Sequence, residues 1–351
     1  MNDKQKDTSS PEPLGLWGAG RLLAKAFSEQ EACLQSVYAI AGELVRPPAG
    51  SPPEYSVRMG KIPAAFYAAR KNIFSTLFYS TYLALDIPQP RRLLYGKLNH
   101  LFRIWVTSAD NLLDNEDKCV LPLDMPGTSR VMREVVALMA ADRVLWHLLT
   151  DAVAEDTITP QQARALADES LRCLLPSAAQ EASEEGGITV RPDPEYVLNT
   201  IHVLKTGLLF NIPFTGVDII EHDVDRSRLA RIKQALLLFG GGCQILDDVR
   251  DIARDFVERR HNYVLSVLAH EQPDILKTWS QRDIKAGDRL YFEVPATSLA
   301  AAQLGFQRLK GACAVLQEER VLMTGAPIAQ MACSMFIALD LEDLAHACSF
   351  I

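Results

Sequence analysis

The sequence predicts an all-α fold built as a single domain. Apolar residues recur at the three-to-four-residue spacing of amphipathic helices through most of the chain. No segment shows sustained apolar–polar alternation between hairpin turns, so no strand is expected. The 351 residues could hold two average domains, but one large helical domain is equally allowed. No internal repeat and no low-complexity tract beyond the head divides them. The expected organisation is a disordered head over residues 1–15 and an all-α unit over residues 16–351. At 48% hydrophobic and 23% charged residues the composition is ordinarily globular. The chain is long enough to bury a large core with a deep pocket inside it.

Taken in order, residues 1–13 are polar and lack the apolar core of a secretion signal. Helical periodicity runs over residues 22–45 and ends at the proline-rich loop 47–53. It resumes over 62–85 and stops before Pro88 and Pro90. Residues 92–117 read as one long helix. Further helices are expected over 129–151, 160–174, 194–210 and 227–259. Two or three more follow, best defined over 298–317 and 326–347. Residues 181–187 are polar, lack large apolar side chains and end in two glycines, which predicts a loop.

A net charge of −8 and a pI near 5.5 argue against a nucleic-acid partner, which calls for a basic surface. The seven cysteines (Cys33, Cys119, Cys173, Cys243, Cys313, Cys333 and Cys348) form no Cys-x-x-Cys pair. They read as reduced, mostly core thiols of a cytoplasmic protein rather than a disulfide frame or zinc site. No stretch reaches the roughly 18 uncharged apolar residues of a membrane span, so no stable membrane insertion is expected.

Two acidic clusters carry the chemistry. The first is Asp110-Asn111-Leu112-Leu113-Asp114, followed by Glu116 and Asp117; the second is Asp247-Asp248-Val249-Arg250-Asp251, with Asp255 beyond. Residues four apart share a helix face, so Asp110 projects with Asp114, and Asp247, Asp251 and Asp255 form a stripe. Like charges at that spacing cost roughly 0.2–0.5 kcal/mol per pair. Hard divalent cations, which take oxygen ligands, would offset the cost. Just upstream of the second cluster, Gly240-Gly241-Gly242 costs about 1 kcal/mol per glycine in a helix. The glycines allow either close helix packing or room for a substrate, and both readings stand at this point. Lys205-Thr206 lies between Val203-Leu204 and Leu208-Leu209-Phe210, and these apolar flanks favour an inward lysine.

With these residues the chain resembles the class I isoprenoid synthases, the trans-prenyl diphosphate synthases and the terpene cyclases that share their helical fold. Asp110 and Asp114 match the family's D-D-x-x-D, with Asn111 in place of the second aspartate. Gly240, Gln244, Asp247, Asp248 and Asp251 match G-x-x-x-Q-x-x-D-D-x-x-D, and Lys205-Thr206 matches the Lys-Thr ahead of it. The likeness in order and spacing covers residues 60–265. The resemblance implies a helical bundle with a central active-site cavity, a prenyl diphosphate substrate, a homodimer, and Mg2+ in a three-ion arrangement. It implies that Asp110 and Asp114 hold one magnesium group, and Asp247, Asp251 and Asp255 another. Lys205 would contact the diphosphate and complete a catalytic set with Asp110, Asp114, Asp247 and Asp251. Thr206, Gln244, Arg254 and Arg260 would join in substrate binding, with Arg250 and Arg259 as further candidates. Phe102 and Trp105, upstream of Asp110, resemble the pocket floor that limits chain length. A carbocation needs such dry aromatic walls.

The chain also departs from the chain-elongating members. Gly60-Lys61 runs into Ile62-Pro63 where the family continues with arginine, and no arginine pair follows Asp114. Arg58, Arg70, Lys71 and Lys118 are the substitutes on offer. Asp247, Asp251 and Asp255 also occupy the ligand positions of the cyclases' N-S-E triad. Arg259-Arg260-His261-Asn262-Tyr263-Val264 resembles the tail of that motif, although the cyclases' C-terminal Arg-Tyr pair is missing. A second diphosphate without a basic pocket would bind poorly. The sequence therefore reads as a terpene synthase that ionises one allylic diphosphate and cyclises or rearranges the cation. A prenyltransferase that elongates or joins prenyl units is the alternative, and a catalytically silent diphosphate-binding regulatory subunit the third reading.

Overall fold

Helix boundaries follow the punctuation of the sequence. The computed structural model describes residues 21–114, 116–322, 325 and 327–348, so the expected head lies outside it. Helix α1 spans Arg21–Leu44, α2 Ile73–Ala84 and α3 Gln89–Leu113, the last opening with proline in its first turn. Helix α4 (Arg130–Ala154) is capped by the Ser129 hydroxyl, which accepts from Met132 N. Helix α5 (Pro160–Arg172) starts with a Thr159–Gln162 capping box, and α6 spans Leu175–Glu184. A mixed segment, Pro194–Phe210, is π-helical over Val197–Ile201 and Val203–Gly207. There follow α7 (Thr215–Ile220), α8 (Arg226–Arg250, capped by Asp225), α9 (Ile252–Val257), α10 (Tyr263–Glu271) and α11 (Pro273–Trp279). The chain closes with α12 (Pro295–Glu318), α13 (Ile328–Ala338) and α14 (Glu342–Cys348).

The all-α expectation holds, with one addition: β1 (Arg58–Met59) pairs antiparallel with β2 (Leu123–Asp124). Two residues per strand are too few for alternation to register in the sequence. Several boundaries also differ. The helix expected from residue 62 begins at Ile73, because Pro63 and Ala68 are extended and the Asn72 amide donates to Phe66 O and Ala68 O. The helix expected through residue 117 ends at Leu113. The buried Asn111 side chain there bonds both the N–H and the C=O of Lys118, turning the chain away. The helix expected over 227–259 breaks at Asp251 (φ −97°, ψ 16°), where three like charges at four-residue spacing disfavour continuation. The loop expected at 181–187 starts only after Glu184, since Gln180 and Lys205 hold the last turn of α6. The helix expected over 326–347 is interrupted at Asp340, whose φ is 59°.

Helix α8 packs along α12, while α1, α2, α3 and α4 pack among themselves on the other flank. The glycine run makes the first contact possible. A Cβ on Gly242 would stand 2.8 Å from Leu309 Cγ, one on Gly305 3.0 Å from Leu246 Cδ2, and one on Gly240 2.7 Å from Phe210 Cδ2. Close packing is thus the use made of these glycines, and none lines either cavity described below. Cys33, Cys119, Cys173, Cys243, Cys313 and Cys333 are free thiols. Among the described residues no single helix is long and apolar enough to cross a membrane. The bent pair Pro194–Phe210 and Ile212–Ile220 reaches that composition only jointly, and its Val197, Phe214 and Val217 are fully buried.

Candidate active site

The ends of α3 and α8 bring the two acidic clusters together, and arginines span the gap. Arg254 Nη1 lies 2.9 Å from Glu116, just past the first cluster, while its Nη2 lies 2.6 Å from Asp251. Arg260 Nη2 reaches Asp114 at 3.5 Å. Arg250 pairs with Asp247 and, at 2.7 Å, with Asp251. Arg259, by contrast, turns away and donates to Gly186 O.

Asp110 sits in the last turn of α3 on a cavity of about 900 Å3. Burial first, then Glu181 and Asp114, push its carboxyl up to about 7. Asp247 is raised by its surroundings and by Asp251 and Asp248, against Arg250. Asp255 is buried, accepts from Asn262 Nδ2 at 2.8 Å, and is raised by burial and by Asp248. Asp248 is the exception. It is buried and accepts from Gln244 Nε2 (2.9 Å) and Tyr263 N (2.6 Å), and shares a hydrogen bond with His202 Nε2 (2.8 Å). Burial would raise Asp248, but His202, Tyr263 and Gln244 together hold it below the usual range.

Lys205 points inward, between Glu184 (3.5 Å) and Glu181 (3.6 Å) of α6. Burial would lower its pKa, yet Glu184, Glu181 and Asp255 carry it above the usual range. The Thr206 hydroxyl donates to Gln244 Oε1, so Thr206 and Gln244 join one chain of hydrogen bonds to Asp248. Glu181 and Glu184 escape a sequence reading that assigns them to a loop. The signal available was their three-residue spacing, which puts them on one helix face. His202, which anchors Asp248, carries no motif of its own, whereas Asn262, which anchors Asp255, lies in the segment read as the tail of the cyclase motif.

The large cavity runs between α3, α4, α5 and α6 with Asp110 and Glu181 at its polar end. Trp105, Leu145, Trp146, Leu149 and Leu174 line much of the rest, with Asp142, Thr150 and Arg164 among them. Phe102 does not share this floor. It lines a smaller cavity instead, although its ring meets Trp105 edge-on at 5.6 Å. Three residues on a helix turn the chain by some 300° rather than a full circle, so the two rings diverge.

Among the described residues no three His, Cys, Asp or Glu side chains converge as a finished metal cage. Magnesium does not require one, because it binds through one or two carboxylates, phosphate oxygens and its own waters. The donor set fits that chemistry: oxygen ligands only, in two facing groups, with Asp110 and Asp247 held back from ionising by burial and by neighbouring acids. Asp110 with Asp114, and Asp247 with Asp251, are the residues that would hold Mg2+.

No family model matches the chain, and no curated protein matches it significantly. Solved structures do match in shape. A decaprenyl diphosphate synthase from Rhodobacter capsulatus is 14% identical, with 93% of this chain and 98% of that one covered and a TM-score of 0.54. A geranylgeranyl pyrophosphate synthetase from Pyrococcus horikoshii is 15% identical, with 90% and 98% covered and a TM-score of 0.55. The chain has the class I isoprenoid synthase fold. A heptaprenyl diphosphate synthase from Staphylococcus aureus gives the same picture at 14% identity, 89% and 98% coverage and a TM-score of 0.57. At such identities the likeness is one of fold, and it spans nearly the whole length of each solved chain.

Proposed function

We propose that the chain is a Mg2+-dependent prenyltransferase that ionises an allylic prenyl diphosphate and passes the prenyl group to an unsaturated acceptor. The observation that carries this reading is the meeting of two carboxylate groups, bridged by Arg254 and Arg260, beside an apolar cavity of about 900 Å3. The solved chains of like fold bear prenyl synthase names, which favours transfer over cyclisation. Magnesium, when bound, supplies positive charge to the departing diphosphate. Lys205, Arg254 and Arg260 add fixed cations where that charge develops. Trp105 offers an aromatic ring to the cation within a largely apolar lining. Asp248, His202, Gln244 and Asn262 hold the acid-bearing backbone in register. A homodimer belongs to the same reading, and exposed Met132, Met139 and Trp146 on α4 offer it an apolar face.

A single-substrate terpene cyclase is the second reading, and one observation favours it. Of the basic substitutes the sequence offered, Lys118 is paired with Glu116 and Arg58 with Asp124. The test is incubation with Mg2+ and C10, C15 or C20 allylic diphosphates, with and without isopentenyl phosphates as acceptors. Product that forms only with an acceptor supports transfer. Hydrocarbon or alcohol from the allylic diphosphate alone replaces transfer with cyclisation. Binding without turnover leaves the regulatory-subunit reading.

A further inference from the structure

Two segments that the diphosphate chemistry leaves without a task, Gly186-Gly187 and Arg259-Arg260-His261, are bound to each other. Arg259 Nη2 donates to Gly186 O at 3.1 Å, and Ile188 N donates to Arg259 O at 2.8 Å. His261 N donates to Glu184 Oε2 at 2.5 Å. Arg191 closes the clasp, its Nη1 donating to Arg260 O at 2.8 Å and its Nη2 to Asp255 O at 3.4 Å. Pro192 restricts Arg191 to extended backbone, which presets its reach. Two further backbone features let the segments meet. Gly187 has a φ of 77°, and a Cβ there would stand 2.8 Å from Arg259 Nε. Arg259 takes a φ of 56°, which side chains other than glycine seldom adopt. That left-handed residue turns the chain leaving α9 and so sets where Arg260 begins. Arg260 is 8% exposed, reaches Asp114 at 3.5 Å and keeps its Nη1 without a partner.

We propose that Arg191 is a positioning residue for diphosphate binding, holding the Arg260 guanidinium in place through the carbonyls of Arg260 and Asp255. This inference rests on the prenyltransferase reading, which puts Arg260 beside the departing diphosphate. Arg191 is not on the lining of the large cavity and acts through backbone alone. One planar guanidinium spans both carbonyls, and the compact ammonium of lysine does not reproduce that fork. A donor held ready before the ligand arrives spares binding the cost of ordering it. Without Arg191 the turn from Asp255 to Arg260 loses two of its bonds, and the diphosphate has to supply the order that the clasp now supplies.

Calorimetric titration of the full chain with inorganic diphosphate at saturating Mg2+ tests this. Arg191→Ala is expected to raise the diphosphate Kd by about ten-fold or more at unchanged stoichiometry. Arg191→Lys should recover only part of the loss, leaving Kd about three-fold or more above wild type. Gly187→Ala, which pushes the Arg259 guanidinium aside, should weaken diphosphate in the same direction. A merely structural role predicts instead a lower melting temperature, or fewer sites per chain, at an unchanged Kd, and that result overturns the proposal. Full recovery by Arg191→Lys overturns it as well, because charge rather than the clasp would then set the affinity. If Arg191→Ala does not fold, Arg191→Lys and Gly187→Ala decide between the same outcomes. A wild type that binds no diphosphate with Mg2+ counts against the prenyltransferase reading and takes this role with it. A wild type that binds, matched by all three variants, counts against the role of Arg191 alone.

Discussion

Asp247 and Asp248 are neighbours in sequence and opposites in environment. Asp248 is buried among three hydrogen-bonding partners, whereas a third of the Asp247 side chain is exposed and pairs with Arg250. Asp248→Ala should therefore cost about 3–5 kcal/mol of stability, because it strands His202, Gln244 and the Tyr263 N–H. Asp247→Ala should leave stability within about 1 kcal/mol but lower turnover by about 100-fold or more. Chemical denaturation and an assay of diphosphate release separate the two, and equal effects on stability would refute the distinction. Asn111 occupies the motif's missing aspartate, but its amide bonds both backbone groups of Lys118. Restoring the motif by Asn111→Asp removes the donor to Lys118 O and should destabilise the fold by about 1–3 kcal/mol without raising activity. The same denaturation measurement checks it. Asp110 adds a pH dependence. Its carboxyl is raised from 3.8 to about 7 in the folded state. The folded chain therefore keeps a proton there that the unfolded chain has lost. That contribution to stability is full below about pH 4 and disappears as pH rises through about 7. Without Mg2+, melting temperature should fall more steeply between about pH 5 and pH 8 in the wild type than in Asp110→Asn, and parallel profiles would remove the effect.

At the level of elements, α8 and α12 depend on glycine. Gly242→Ala brings a methyl within 2.8 Å of Leu309 Cγ and 3.1 Å of Gly305 O. It should cost about 1–3 kcal/mol through overpacking, measurable as an earlier denaturation midpoint with an unchanged slope. This contact shows how far the sequence was legible. Helical periodicity located α1, α4, α5 and α12 to within a few residues, because burial against neighbours imposes a 3.6-residue period. It missed the 3-10 turns of residues 64–72, where Asn72 bonds backbone carbonyls six and four residues upstream that pattern-reading cannot reveal. It also merged α8 with α9, since the break at Asp251 comes from charge rather than from proline or glycine. The motif acids were legible because repulsion at four-residue spacing is visible in a bare sequence. Glu184 was not, because its role arises from Lys205, Gln180 and the His261 N–H, each supplied by folding.

For the whole molecule, the bridge between α3 and α9 links ligand binding to stability. Mg2+ together with inorganic diphosphate should raise the melting temperature well above the effect of either alone. A ligand at about 100 times its Kd contributes about 2.7 kcal/mol. A thermal scan in three arms, repeated with a chelator, reads this directly, and equal shifts from Mg2+ alone and from the pair would refute it. The arginines explain the expectation. Arg250, Arg254 and Arg260 already pair with Asp247, Asp251 and Asp114, acids drawn from both clusters. A lone cation would have to evict guanidiniums and leave them unmatched, and a lone diphosphate would confront carboxylates stripped of their partners. Only the two arriving together re-pair every charge. The salt-bridged mouth thus behaves as a coincidence detector, a logical AND written in three arginines, silent to either input until the other is present.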